Sequence, residues 1–438
     1  MDNKTSRRKF VQQTSLIAGG LIAAPFLSNA NYFSGAAGTI KVALIGCGGR
    51  GTGAAIQALS TKQNVQLVAM ADAFKDRLDS CYKYITGNLA ESGIDKSRVD
   101  VPEERKFVGF DGFEKAIALA DVVILTTPPG FRPIHFETAV KLGKHVFMEK
   151  PVATDPAGIK KVLDTAEIAK QKKLNVVVGL QRRYQHSYLE LYKRKDLIGD
   201  ITSAQAWWNN DGVWVKERQP GQTEMEYQMR NWYYFNWLCG DHIVEQHVHN
   251  IDVINWFKGG YPIKAQGMGG RQFRTDKKYG EIYDHHYVEF EYADGSIMNS
   301  QCRHIPRTMS KVDELIIGTK GKIYGDAALI KDNKGNTIFA FDKKGENNPY
   351  QAEHDELFAA IAKGQYKFAD AEHGAKSTLT GIIGRMATYS GQVIDFDKAI
   401  NSGLDLMPKE YSFNAAPPIL PDADGNYPIA MPGKTKYF

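Results

Sequence analysis

The chain has 438 residues, too many for one ordinary hydrophobic core, so two domains are expected. Apolar residues make up 43% and charged residues 24%, which excludes extensive disorder, and the formal charge is +5. Lys4, Arg7, Arg8 and Lys9 fall within residues 1–30 beside a single acid, Asp2. Without them 51 basic residues face 49 acidic ones, a balance that calls for no nucleic-acid partner.

Residues 1–30 carry the twin arginine Arg7–Arg8 in S-R-R-K-F, a modestly apolar run and a small-residue S-N-A ending. That pattern reads as an export signal of the twin-arginine type, with a cut expected after Ala30 and an already folded protein expected to reach the periplasm. The alternative is a membrane anchor, but the run from Leu16 to Leu27 is short for a span. Cys47, Cys81, Cys239 and Cys302 form no C-x-x-C pair, so neither a disulfide framework nor a zinc ribbon is indicated. A small-residue linker, 31–38, leads into the first element.

Lys41 to Gly53 organises the rest. Val42–Ile45 reads as a short buried strand, followed by Gly46, Gly48 and Gly51 in G-x-G-x-x-G spacing and a helical AAIQAL. In such a turn the first glycine permits the bend, the second lets backbone approach a pyrophosphate, and the third lets helix pack close to strand. A second strand ends at Asp72, twenty-one residues past Gly51. A carboxylate there suits the ribose 2′-OH of NAD, although Lys75 and Arg77 nearby leave NADP open; the alternative is a capping Asp beside a plain glycine turn.

Downstream, 88–104 is a polar excursion, 113–120 a helix and 121–126 a strand that stops at Thr127-Pro128-Pro129-Gly130. A helix over 136–142 precedes the strand HVFM, which ends at Glu149-Lys150-Pro151; 159–171 is amphipathic and 174–180 another strand. This alternation predicts a doubly wound parallel sheet over 39–181. From 182 to 416 the texture changes to alternating strands with D-G and K-G turns, an α+β domain with a large, mostly antiparallel sheet. The tail, 417–438, is rich in Pro, Gly and Asp and is expected to wrap a surface.

The glycine loop, the T-P-P turn, GKHVFMEKP at 143–151 and the segment 245–252 together resemble the Gfo/Idh/MocA family of sugar oxidoreductases. The resemblance implies a Rossmann domain, a C-terminal open sheet that covers the nicotinamide and often pairs subunits, and NAD(P)-dependent hydride transfer on a sugar, polyol or glycoside. The expected cofactor-binding set is Gly46, Gly48, Gly49, Arg50, Gly51 and Asp72, with Thr127, Pro128, Arg132, Glu149 and Lys150. Arg132 stands where many relatives have His, free to clamp a phosphate, a carboxylate or a nearby acid.

By position Lys150 is the family's catalytic lysine, an ammonium able to favour a developing oxyanion. Glu245, His249, Asp252 and Trp256 fall at helical spacing on one face. Aligned on the family, His249 is the catalytic base, suited by an ordinary pKa near 6.5, and Glu245 takes the place of an Asp. His247 replaces a usual glycine. Arg183 matches the arginine after the last Rossmann strand; Tyr184, His247 and Trp232 join it as expected substrate contacts, Trp232 as one of five tryptophans crowded into 207–237. A zinc site from His242, Glu245, His247 and His249 matches neither H-E-x-x-H nor H-x-x-E-H, and no metal is expected. Two other readings stay open: a glycosidase working by transient oxidation, elimination and re-reduction, and a non-catalytic NAD-holding sugar sensor.

Overall fold

The computed structural model describes residues 38–437; the twin-arginine segment, and all of the linker except Gly38, lie outside the described residues. Strands β1 (Ile40–Ile45), β2 (Val65–Asp72), β3 (Lys106–Val108), β4 (Val122–Leu125), β5 (His145–Met148) and β6 (Val176–Val178) form one parallel sheet, in the order β3-β2-β1-β4-β5-β6. Helices α1 (Gly49–Leu59), α2 (Lys75–Gly87), α3 (Gly112–Ala118), α4 (Arg132–Lys141) and α5 (Pro156–Gln171) connect the strands. The order reverses between β1 and β4, so the loops leaving those two strands splay apart and open a crevice between them.

The sequence shows five of these strands. It does not show β3, a three-residue edge strand that follows the polar excursion and pairs with Met70–Asp72. So short a run, half-exposed and with no apolar alternation, carries no periodic signal.

The second sheet has nine strands: β7 (Ile201–Asn210), β8 (Lys264–Gly270), β9 (His285–Glu291), β10 (Ile297–His304), β11 (Lys311–Gly318), β12 (Gly321–Tyr324), β13 (Leu329–Asp332), β14 (Thr337–Ala340) and β15 (Ile394–Asp395). Their order is β14-β13-β12-β11-β7-β10-β9-β8-β15. All neighbours are antiparallel except β7 and β10, so the predicted mostly antiparallel sheet is what forms. Its strands alternate, as in the HHYVEFE of β9, where every second residue is buried.

Two single helical turns, α6 (Asn236–Cys239) and α7 (His242–Glu245), lead into α8 (Val248–Lys258), an 11-residue helix that packs on β7 and β11 beneath this sheet. Two later helices tie the halves together. Helix α9 (Pro349–Ala362), drawn from within the 182–416 span, returns to the first domain and buries Leu357, Phe358 and Ile361 in the cluster that holds β1 and α1. Helix α10 (Ala371–Ser390) is buried along nearly its whole length and packs on α5 on one side and on β8 and β9 on the other. The tail crosses the outside: Gln228 Nε2 donates to Ile419 O (2.7 Å), Tyr283 Oη to Ala430 O (2.8 Å) and Gly433 N to Ser390 O (2.8 Å). No described helix is long and apolar enough to cross a membrane.

The glycine turn after β1 is close-packed on its inner side. Gly46 has φ +98°, and a Cβ on Gly51 would lie 2.0 Å from the Gly46 carbonyl oxygen. Gly51→Ala is therefore expected to cost about 1–3 kcal/mol, because a backbone carbonyl cannot swing aside as a side chain can. Gly49→Ala, with nothing within 4 Å of its Cβ, should change stability by less than about 0.5 kcal/mol. Thermal unfolding of the two variants checks this; equal melting temperatures would show that the turn is not packed as described.

Candidate active site

The crevice at the carboxyl ends of β1, β2 and β4 is a cavity of about 540 Å³. Gly46, Gly48, Gly49 and Arg50 line it from the first turn, Asp72 from the end of β2, and Thr127 and Pro128 from the turn after β4. A Cβ on Gly48 or Gly49 would meet nothing within 4 Å, so this backbone faces open space beside the N-terminus of α1. Unpaired N–H groups there are free for a pyrophosphate. Asp72 is held in place by Cys47 N (2.7 Å) and Phe74 N (2.9 Å). Burial pushes its carboxyl above the ordinary value, and those two backbone donors oppose the shift. An open glycine backbone with an oriented carboxylate one strand away fits a dinucleotide.

Gly51, Arg132, Glu149 and Lys150 do not line this cavity. Gly51 packs under the turn. Arg132 is 1% exposed and donates to Glu149 O (2.9 Å) and Thr127 O (2.8 Å), tying the turn after β4 to the end of β5. Its guanidinium clamps protein carbonyls, which corrects the expected phosphate or sugar contact. Burial lowers its pKa to about 10. Glu149, also buried, pairs with Arg50, whose NH1 reaches Gln57 Oε1 (2.9 Å). Both expected cofactor contacts are thus engaged with each other, while Arg50 still borders the cavity.

Lys150 leaves the end of β5 and meets the other domain. Its Nζ donates to Glu245 O (2.6 Å) and Glu245 Oε1 (3.1 Å), with 13% and 10% of the two side chains exposed. Glu245 Oε2 is buried without a partner. His249 is 7% exposed, its Nδ1 has no partner, and its ring stacks on Trp208 at 5.8 Å between centroids. Burial pushes the His249 pKa well below 6.5, and the nearby charge of Lys150 pushes the same way. The expectation of an ordinary imidazole pKa is therefore corrected.

The helical spacing of Glu245 to Trp256 also needs correction. The chain breaks at Gln246–His247, between α7 and α8. Glu245 ends one turn and His249 begins the next, so the carboxylate serves Lys150. His249, Asp252 and Trp256 do share α8. Asp252 takes two hydrogen bonds from Arg183 (2.8 and 2.9 Å), and the guanidinium lies 5.2 Å from the Trp256 ring centroid.

The four expected substrate contacts find other partners. Arg183 is spent on Asp252 and Trp256, and Tyr184 donates its hydroxyl to Asp370 (2.7 Å) and is 7% exposed. His247 is fully buried with Nε2 on Ser300 Oγ (2.7 Å), facing the sheet. Trp232 lines the dinucleotide cavity, on the same wall as Trp214, Met229 and Arg230. For Arg183, Tyr184 and His247 a partner distant in the chain outcompetes the cleft, and sequence spacing cannot reveal that partner.

Several residues near the site carried no sequence signal. Arg182, one position before the expected arginine, pairs with buried Glu314, which also accepts from Tyr188 Oη (2.8 Å) and Asn250 Nδ2 (2.7 Å). Arg230 makes two hydrogen bonds with Asp76 (2.7 and 2.9 Å) and covers the Phe74 ring at 3.9 Å, closing the end of the cavity beside Asp72. Asp241 sits at φ 71°, a conformation rare outside glycine. Tyr283 N (3.0 Å), Tyr389 Oη (2.5 Å) and His242 Nδ1 (2.7 Å) bond it. Asp241, His242 and His286 bring potential ligand atoms within 4.8 Å of one another. Because the Asp241 oxygens already accept these donors, the group is read as a hydrogen-bonded core.

Residues 40–180 match the model of an oxidoreductase family with an NAD-binding Rossmann fold, GFO_IDH_MocA. The chain is similar to inositol 2-dehydrogenase 3 of Saccharopolyspora erythraea, 27% identical over 262 residues that cover 59% of this chain and 64% of that one. It is also similar to a glycosyl hydrolase family 109 protein of Solibacter usitatus, 27% identical over 216 residues that cover 48% and 47%. The chain thus spans between about half and two thirds of the length of these curated relatives. Among solved structures it resembles an aldose-aldose oxidoreductase of Caulobacter crescentus complexed with glycerol, with a TM-score of 0.61, 18% identity, and 82% and 100% of the two chains covered. That likeness is one of fold. Residues 40–180 thus carry the NAD-binding Rossmann domain of the Gfo/Idh/MocA oxidoreductase family.

Proposed function

We propose that this protein is an NAD-dependent oxidoreductase acting on a carbinol or carbonyl carbon of a sugar or polyol. The observation that carries the reading is Lys150, held at the end of β5 by Glu245, close enough to His249 to depress its pKa. A bound nicotinamide supplies the hydride acceptor or donor. The chain's own residues do the rest. Gly48 and Gly49 offer backbone to the pyrophosphate, and Asp72 offers its carboxylate to the ribose. Of three ammonium N–H bonds on Lys150, two are taken by Glu245, which leaves one for the reacting oxygen. Neutral His249, steadied by Trp208, takes the hydroxyl proton in oxidation and returns it in reduction. A non-catalytic sensor would need neither group. The inositol 2-dehydrogenase relative supports the polyol class.

A second reading is supported by the glycosyl hydrolase family 109 relative. There a ring hydroxyl is oxidised, the glycosidic leaving group departs by elimination, and the product is reduced again. Both readings join a further proposal, that the protein works outside the cytosol after export through Arg7–Arg8 and keeps its cofactor. The roofed cavity, with Trp214, Trp232 and Arg230 over the Asp72 end, suits retention. Pairing of subunits through the open sheet belongs to the same proposal.

Lys150→Ala is expected to lower the turnover rate on the true substrate by about a hundredfold or more while leaving NAD affinity near wild type. A hydride-exchange assay over a sugar panel measures it, and an unchanged rate removes Lys150 from the mechanism. His249 should stay neutral at pH 6.5 and gain its proton only well below that. In Lys150→Met, loss of the ammonium should move its titration upward. Histidine NMR titration checks both; a wild-type His249 titrating near 6.5 overturns the buried-imidazole account. Protein purified without added nucleotide should release about one equivalent of nicotinamide when denatured. An empty protein that turns over only with a steady external supply would sink the retention proposal.

A further inference from the structure

A second cavity, of about 440 Å³, lies on the other side of Trp237 from the dinucleotide site and shares none of its lining residues. Trp237 packs edge-on against Phe131, a wall of the first cavity, at 6.0 Å between centroids. The roof is the C-terminal tail, with Pro418, Ile419, Pro428 and Ile429, and Leu406 and Met407 extend the apolar wall. Most of the polar wall is already engaged: Asn236 Nδ2 donates to Tyr389 Oη (3.3 Å), Tyr389 Oη to Asp241 (2.5 Å), and Thr435 Oγ1 accepts from Met431 N (2.8 Å), while the Tyr437 hydroxyl stands close to Arg385. Arg385, from the middle of α10, is 1% exposed, and both its terminal nitrogens lack a hydrogen-bond partner. Glu281 stands near it, with Oε1 accepting from Asn236 N (2.8 Å), and burial pushes its carboxyl up to about 7. Asp405 lies on the exposed rim.

A buried guanidinium with two unfilled donors is costly unless something accepts from it. Its planar fork matches two oxygens held side by side, the geometry of a carboxylate. A phosphate would add oxygens and charge that the apolar roof and Glu281 cannot satisfy. A sugar would bring more hydroxyls than the walls have partners. We propose that this cavity is a second, non-catalytic binding site for a small organic monocarboxylate with an apolar body, gripped at Arg385 and roofed by the tail.

Isothermal titration of the intact, purified protein with benzoate and with 3-methylbutanoate tests the site, with benzamide, inorganic phosphate and glucose as controls. Saturable one-to-one binding of the carboxylates is expected, with benzamide, phosphate and glucose at least tenfold weaker. Arg385→Gln should weaken carboxylate binding at least tenfold. Glu281→Gln removes a carboxylate that faces the bound anion and should tighten binding several-fold. Because Arg385 is buried, its variant can fail to fold; Glu281→Gln then decides, and unchanged or weaker binding there overturns the proposal. Absence of carboxylate binding, equal binding of benzamide, preference for phosphate or glucose, or full affinity in a folded Arg385→Gln variant also overturns it.

Discussion

The Lys150–Glu245 contact joins the two domains at the point where chemistry is proposed. One partner ends a Rossmann strand; the other ends a short turn under the second sheet. Neither side chain is more than 13% exposed, so the pair is little screened by water. Its value is geometric more than energetic: a partly buried ion pair repays its desolvation only in part, but it fixes where the ammonium stands. The backbone carbonyl of Glu245 adds a second anchor. The break between α7 and α8 then acquires a reason. A continuous helix would carry Glu245 and His249 on one face, whereas the break lets the carboxylate serve Lys150 and leaves the imidazole free.

The second domain also completes the cofactor cavity. Residues 214–232 reach across to the Asp72 end, and Thr223 Oγ1 ties them to Phe413 O (2.6 Å). Phe74 and Phe110 meet Phe413 of the chain preceding the tail at 5.0 and 4.9 Å. The Arg230–Asp76 pair spans the same gap, but Asp76 is 61% exposed, and a pair so wet adds about 1 kcal/mol or less. Hydrophobic contact and the cation over Phe74 therefore carry the closure. The tryptophans that composition alone would assign to a sugar ring sit partly on this roof.

Beneath the second sheet lies an unusual density of buried imidazoles. His242, His247, His249, His286 and His304 are all under 8% exposed. Burial holds His249 and His304 well below their ordinary value and brings His247 to about 3. His247 and His286 act as polar spacers that bond Ser300 and Thr388 across elements. Asp241 is the charged centre of the group, kept ionised by His286 and His242 against its burial. Its strained backbone feeds directly into α7, so the hydrogen bonds that hold Asp241 also aim Glu245.

How much of this was legible depends on how local each cause was. The glycine turn, Asp72 and the parallel sheet were readable because a strand, its turn and its helix are contiguous, and apolar periodicity records their burial. The family resemblance carried by GKHVFMEKP singled out Lys150. The partners of Arg183, Tyr184, His247 and Arg132 were not readable: Asp252, Asp370, Ser300 and the Thr127 and Glu149 carbonyls come from other elements or from backbone, neither of which leaves a spacing signal. The return of α9 to the first domain was hidden likewise, since an amphipathic helix does not say which apolar surface it covers. By itself the sequence determined the glycine turn, five of the six strands of the parallel sheet and where a dinucleotide approaches. Only the tertiary structure decided which polar side chains face the cleft and which are consumed in holding it, because that choice is made by competition among partners distant in the chain.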